Sequence, residues 1–165
     1  MSYPEKKTLV SIGTGLALLA AYGLYAFGRV QSGMAAADDL RFWATTILIF
    51  VGVGVLAAIV IQIIFHILLS VSVAVKEQIK HKTCDDKAVE KTIELEMVQD
   101  ERDKLIELKA MRVGFVVAGI GFLAAMGSLV FNYSPAVMVN ILFVSFSVGS
   151  MAEGVAQMFY YRHGV

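Results

Sequence analysis

The 165-residue chain has one cysteine, one tryptophan and two prolines, and Asp, Glu, Lys and Arg together make up only 17% of it. Each shortage removes a class of protein. The single cysteine, Cys84, cannot close a disulfide within the chain, and with His81 three residues away it offers two ligands where a structural zinc needs four. The 14 basic and 14 acidic residues leave a formal net charge of zero, so no global basic field exists to hold nucleic acid. No His-Glu-x-x-His, nucleophile elbow or Cys-x-x-Cys occurs. Only His66 of the three histidines falls in an apolar run, so one chain cannot supply both axial ligands of a membrane haem. Gly13-x-Gly15 and Gly52-x-Gly54 lack the strand and helix context of a phosphate loop. The expectation is a protein with no enzymatic activity, no metal and no cofactor.

Apolar residues are in excess. They reach 58% of the chain, and exchanging the 6 tyrosines for the 14 glycines raises this to about 63%, against roughly 45–50% in soluble domains. Three stretches carry no charge: Thr8 to Gly28, Phe42 to Val75 and Val113 to Ala152, of 21, 34 and 40 residues. A helix needs about 20 apolar residues to cross a hydrocarbon core, so the first stretch holds one span and the third holds two. The third is broken at Asn132-Tyr133-Ser134-Pro135, where Ser134 is placed to cap a new helix and Pro135 to open it. The second is too long for one perpendicular crossing and too short for two. It reads as one tilted helix extending into the cytosol. The expected fold is an all-α integral membrane protein of a single domain over 1–165. Its four transmembrane helices form two hairpins, with spans at about 8–28, 42–75, 112–132 and 135–161 and a charged cytosolic helical segment at 76–111.

Four spans place 12 lysines and arginines on one side and two, Arg29 and Arg41, on the other. Because these residues are retained in the cytoplasm, the termini and the central segment are read as cytosolic, at the plasma membrane. A cleaved signal peptide competes for the first span, with Lys6 and Lys7 before it and Ala35-Ala36-Ala37 after it. The apolar run exceeds the ~7–15 residues of a signal core, so a retained span is the better reading. Tyr160 and Tyr161 beside Arg162, and Trp43 beside Arg41, read as interface anchors.

The segment from Lys76 to Arg112 holds 19 of the 28 charges, 9 basic and 10 acidic, so it is salt-bridge rich and not a polybasic lipid clamp. Val89, Ile93 and Met97 at four-residue spacing, with Leu95, Val98, Leu105 and Leu108, suggest an amphipathic helix that packs on its own bundle, on the membrane surface or on a partner. Asp100 is placed to cap a helix running into the third span, with Glu101 and Asp103 favoured in its first turn. A cytosolic partner contact through Asp100, Glu101, Arg102 and Asp103 is the functional alternative, or a divalent-cation site that the adjacent basic residues already neutralise. The run Asp100-Glu101-Arg102-Asp103, with Ile106, stands ahead of a span. An apolar hairpin follows, with a glutamate late in the last span and a Tyr161-Arg162-His163-Gly164 ending. This pattern resembles a family of small predicted prokaryotic membrane proteins of unknown function. The likeness covers about residues 99–164, and the first half by topology alone. It departs at His163, where a second arginine is expected. The resemblance implies family and topology and no activity.

Polar groups inside the spans are few. Gln62 and His66 in the second span, and Glu153 and Gln157 in the fourth, are i,i+4 pairs, each on one helix face; Asn140 is the remaining one. His66 lies 10 residues above Lys76 and Glu153 lies 9 above Arg162, about 15 and 14 Å at helical rise, and the two spans run the same way. A shared polar layer follows, with Glu153 meeting His66 or Gln62. An ionised carboxylate facing lipid is costly, so Glu153 must be protonated, paired, or turned toward the bundle or a wet cavity. It is either a structural anchor helped by Gln157, a ligand, ion or proton site, or an oligomer contact. Gly114, Ala118, Gly121, Ala125 and Ser128, and Ser145, Gly149, Ala152 and Ala156, recur at helical spacing and suit close packing of the last two spans, or a dimer seam.

Two functions fit. The first is an interaction or accessory protein that meets a cytosolic or membrane protein partner through its charged segment. The alternative is a small transporter or channel with an inner-leaflet polar site around Glu153, in which a homodimer or higher homo-oligomer encloses the path. A sealed apolar bundle excludes the alternative. A wet pocket between the second and fourth spans favours it.

Overall fold

The computed structural model describes residues 3–33, 36, 38–81 and 101–164. These form four helices: α1 (Tyr3–Gln31), α2 (Leu40–His81), α3 (Glu101–Val130) and α4 (Pro135–His163). Each is long and apolar enough to cross a membrane. Of the apolar windows of α1 to α4, only 6%, 0%, 17% and 11% is buried within the bundle, so most large apolar side chains face outward. Such faces match hydrocarbon and not water, which defines a multi-pass membrane protein. Cys84, Asp100 and the Val89, Ile93, Met97 stripe lie outside the described residues.

Local chemistry sets the helix ends. Asp39 Oδ1 accepts a hydrogen bond from Phe42 N at 3.0 Å and caps α2. The second uncharged stretch lies within one unbroken helix of 42 residues, about 63 Å long at helical rise. The charged run from Glu101 is continuous with the third span, as expected for a helix that runs from Asp100 into it, so α3 begins 11 residues ahead of the apolar span placed at 112. The turn into α4 is made by Asn132, in the left-handed region at φ 61. Asn132 N donates to Leu129 O and Tyr133 N to Ser128 O, both at 3.0 Å, which is the Schellman pattern. Pro135 opens α4 as expected, but Ser134 makes no side-chain capping bond. Its carbonyl accepts from Val137 N instead, at 2.9 Å.

Helix α4 is the hub, packing on all three other helices, whereas among the described residues α2 and α3 do not pack on each other. Its closest neighbour is α3. A Cβ on Gly149 would stand 2.9 Å from Gly114 O, and one on Gly114 would stand 3.0 Å from Gly149 O. A Cβ on Gly121 would fall on Ser145. Only glycine permits this approach. Of the small residues read from the sequence, Gly114, Ala125, Ser128 and Gly149 are buried. Ala152 and Ala156 instead line an apolar groove on the outer side, with Val113 and Phe159.

Helix α1 packs antiparallel on α4, with Gly15 against Met151 and Gly154 against Ile12. The start of α1 therefore lies beside the end of α4. Helix α2 crosses α1 through Gly54 against Leu18 and Phe50 against Tyr22, whose rings meet edge to face at 5.2 Å. Trp43, expected as an interface anchor, is core. It is 6% exposed and packs with Tyr22 and Ala136, because α1, α2 and α4 converge at that end.

Candidate functional site

The helices part toward the opposite end of the bundle and leave a cleft of ≈ 720 Å³. Helix α4 forms its main wall. Ser147, Ser150, Gly154, Gln157 and Tyr161 line it at alternating spacings of three and four, the rhythm of one helix face, with Glu153 beside them. Gln62 and His66 come from α2, Thr8 and Ser11 from α1, and Asp103 and Glu107 from the first turns of α3. All four residues singled out within the spans, Gln62, His66, Glu153 and Gln157, thus line one cavity. The cleft ends against Phe143, which packs on Tyr22 at 4.5 Å within the aromatic cluster.

The two pairs share the cleft, and no hydrogen bond between them is found among the described residues. Gln157 Oε1 accepts from Thr8 Oγ1 at 3.0 Å and ties α4 to α1. Glu153 is half-buried and packs on the bare backbone of α3, where a Cβ on Gly114 would stand 3.0 Å from Glu153 Cβ and 3.2 Å from Oε2. Among the described residues Glu153 has no hydrogen-bond or ion-pair partner, and His66 and Gln62, expected to meet it, do not bond to it. A carboxylate with no partner among the described residues is open to a ligand, a proton or water.

The Asp-Glu-Arg-Asp run divides. Asp103 is half-buried, stands near the Tyr161 hydroxyl, and belongs to the cleft. Glu107, one turn on, lies on the same face. Glu101 and Arg102 are exposed, and Asp100 lies outside the described residues. Tyr161, expected with Tyr160 as an interface anchor, lines the cleft at its mouth, whereas Tyr160 lines the outer groove.

Sequence reasoning missed Thr8, Ser11, Glu107, Ser147 and Ser150. Their signal was the three-and-four spacing of Ser147, Ser150, Gly154, Gln157 and Tyr161. It is easily overlooked because serines in apolar helices commonly bond their own backbone, as Ser147 Oγ does to Phe143 O at 2.8 Å. Asn140 also acquires a role, since its Oδ1 accepts from the Tyr22 hydroxyl and fixes α1 on α4 at the closed end.

Among the described residues three carboxylates, Asp103, Glu107 and Glu153, share the cleft with one ammonium, Lys7. Among the described residues no three His, Cys, Asp or Glu side chains converge to hold a metal ion. Comparison with protein families, curated proteins and solved structures finds no match, so the likeness of residues 99–164 to small membrane proteins rests on its motif alone.

Proposed function

We propose that the protein is a small, non-enzymatic membrane protein that binds a small solute in the cleft around Glu153 and carries it toward the opposite face. The convergence of Gln62, His66, Glu153 and Gln157 on one cavity carries this reading. A bundle needing only helix anchors has no use for a carboxylate inside an apolar span, where it is costly, and Glu153 has no hydrogen-bond or ion-pair partner among the described residues. In this reading α1 with α2, and α3 with α4, are two hairpins in the plasma membrane. The distribution of Lys and Arg puts both termini and residues 76–111 in the cytoplasm, so the cleft opens to the cytosol through Lys7, Asp103 and Glu107. Because α2 and α3 do not pack together among the described residues, a homodimer or higher homo-oligomer would close the path on that side.

A second reading keeps the partner-contact role of the charged segment. Its support is the exposure of Glu101 and Arg102 beside Leu105 and Leu108, which are 46% and 63% exposed just where α3 leaves its apolar stretch. This ranks second because the inward members of the run, Asp103 and Glu107, line the cleft.

Cysteine accessibility tests the first reading. In a Cys84→Ala background, the thiol introduced by Ser150→Cys is expected to react with a membrane-impermeant maleimide in inside-out vesicles and not in right-side-out ones. A thiol unreactive from both sides in the folded protein, yet reactive after denaturation, would mean a sealed bundle and would remove the solute-binding reading.

A further inference from the structure

We propose that the groove on the outer side of α4 holds one phospholipid, with an acyl chain along the helix and the phosphate at a mouth formed by Arg102, Lys109, Arg162 and His163. This site is separate from the cleft. Ser150 and Gln157 face the cleft, whereas Ala152 and Phe159, each two residues or about 200° further around the same helix, line the groove. The groove has a volume of ≈ 590 Å³, within the roughly 300–1,000 Å³ of small-molecule sites. Its described lining is apolar except for the hydroxyl of Tyr160. The hollow arises at Ala152 and Ala156, one turn apart, whose methyl groups stop short of their larger neighbours. Val148, Val155 and Phe159 along it are 41%, 58% and 55% exposed, so the chain itself leaves the groove open.

A concave apolar surface inside a bilayer is filled, by a helix or by an acyl chain, because an empty one loses its contacts on one side. Length separates the two. From Tyr160 to Val148 the groove runs about 18 Å at helical rise, and Val148 stands beside Gly149, the midpoint of α4. That is close to the depth of one leaflet, about half of a roughly 30 Å hydrocarbon core. A helix of a second copy would cross both leaflets and find a groove along half its length, whereas an acyl chain ends at the midplane. The open end has the matching chemistry. His163 stacks on Phe159 with ring centroids 4.4 Å apart, and its Nδ1 donates to Phe159 O at 3.2 Å, which leaves Nε2 for a further bond. Arg162 lies two turns beyond Val155 on the same face of α4, and Lys109 and Arg102 lie one and three turns before Val113 on its face of α3. All four are exposed. Guanidinium, ammonium and imidazole groups donate to phosphate oxygens, and long basic side chains reach headgroup level from an apolar stretch. Asp103 and Glu107, on the other flank of α3, turn to the cleft.

The test is native mass spectrometry of the full chain released from detergent with phosphatidylglycerol, or with a diacylglycerol of the same chains, which keeps the tails and lacks the phosphate. One phospholipid per chain is expected to stay bound, and the diacylglycerol to be held at least about fivefold more weakly. Ala152→Phe, which fills the groove, is expected to cut phospholipid retention at least about tenfold, whereas Ala20→Phe, the same bulk at an exposed position of α1, leaves it unchanged. Arg102→Gln combined with Lys109→Gln is expected to weaken the phospholipid about five- to twentyfold and to leave the diacylglycerol unchanged. That surface variant judges the site even where Ala152→Phe fails to fold. Phospholipid retained equally by the wild type, Ala152→Phe and the surface variant would overturn the proposal, as would a diacylglycerol held as tightly as the phospholipid or the retention of no lipid at all. A lipid-free dimer that Ala152→Phe dissociates would overturn it by giving the groove to a second copy. The cleft is judged separately, by the maleimide experiment.

Discussion

Replacement of Gly114 by alanine tests the packing that holds Glu153 in place. The added methyl would stand 3.0 Å from Gly149 O, 3.0 Å from Glu153 Cβ and 3.2 Å from Glu153 Oε2. The carboxylate can rotate away, but the Gly149 carbonyl is fixed in its helix. Relief then requires α3 and α4 to part by about half an ångström, and a gap of that size forfeits roughly a quarter of the attraction at each contact it opens. Overpacking of this kind costs about 1–3 kcal/mol, while the helix propensity of alanine over glycine returns at most about 1 kcal/mol. Gly119 on the same helix gives the control, since an added Cβ there has nothing within 4 Å. Gly119→Ala keeps the propensity gain without the clash. Gly114→Ala should therefore be less stable than Gly119→Ala by about 1–3 kcal/mol in reversible mixed-micelle unfolding followed by far-ultraviolet circular dichroism. Gly149→Ala should fall with Gly114→Ala, because the two glycines face each other. Equal stability of Gly114→Ala and Gly119→Ala would refute the close approach of α3 and α4 at the level of Glu153.

Three further outcomes follow from the geometry. Tyr22→Phe breaks the hydrogen bond to Asn140, and a double-mutant cycle with Asn140→Leu should give a coupling of about 0.6 kcal/mol and no more than about 1.7, as for other membrane hydrogen bonds; zero coupling would deny that bond. Trp43, the only tryptophan, is 6% exposed and its buried Nε1 has no hydrogen-bond partner among the described residues. Its emission should be blue-shifted and poorly quenched by acrylamide, whereas a freely quenched signal would contradict its place in the core. Asn132 sits at φ 61, so Asn132→Gly should change stability by a few tenths of a kcal/mol at most, while Asn132→Val should lose about 1–2 kcal/mol in the same unfolding assay.

Glu153 shows where the legibility of the site ended. Its cost in an apolar span is a property of the residue and its neighbours in sequence, so the sequence was enough to single it out. Its partner was not legible. The expected contacts with His66 and Gln62 depend on how far α2 stands from α4, and a period of 3.6 residues carries no information about distance. Asp103 makes the same point in reverse. Beside Glu101 and Arg102 it reads as part of a surface run, yet one turn of helix separates residues facing water from residues facing the cleft. Which side Asp103 takes was decided by α4 ending with Tyr161 next to it.

The sequence by itself determined that there are four long apolar helices, that the 34-residue stretch is one helix, and that the chain turns at Asn132 to Pro135. These follow from run length, from the cost of unpaired backbone groups in hydrocarbon and from the special conformations of proline and asparagine, all local in sequence. Only the tertiary structure decided that α4 is the hub, that Trp43 is core and not an anchor, and that seven polar residues of α1 and α3 and of the α4 serine face join the four from α2 and α4 around one cleft. The physical reason is that apolar side chains are equally at home against lipid and against each other. Hydrophobicity cannot choose the neighbours of a membrane helix. Here the choice falls to glycines that permit backbone approach at Gly114, Gly121 and Gly149, and to the hydrogen bonds of Thr8 with Gln157 and Tyr22 with Asn140.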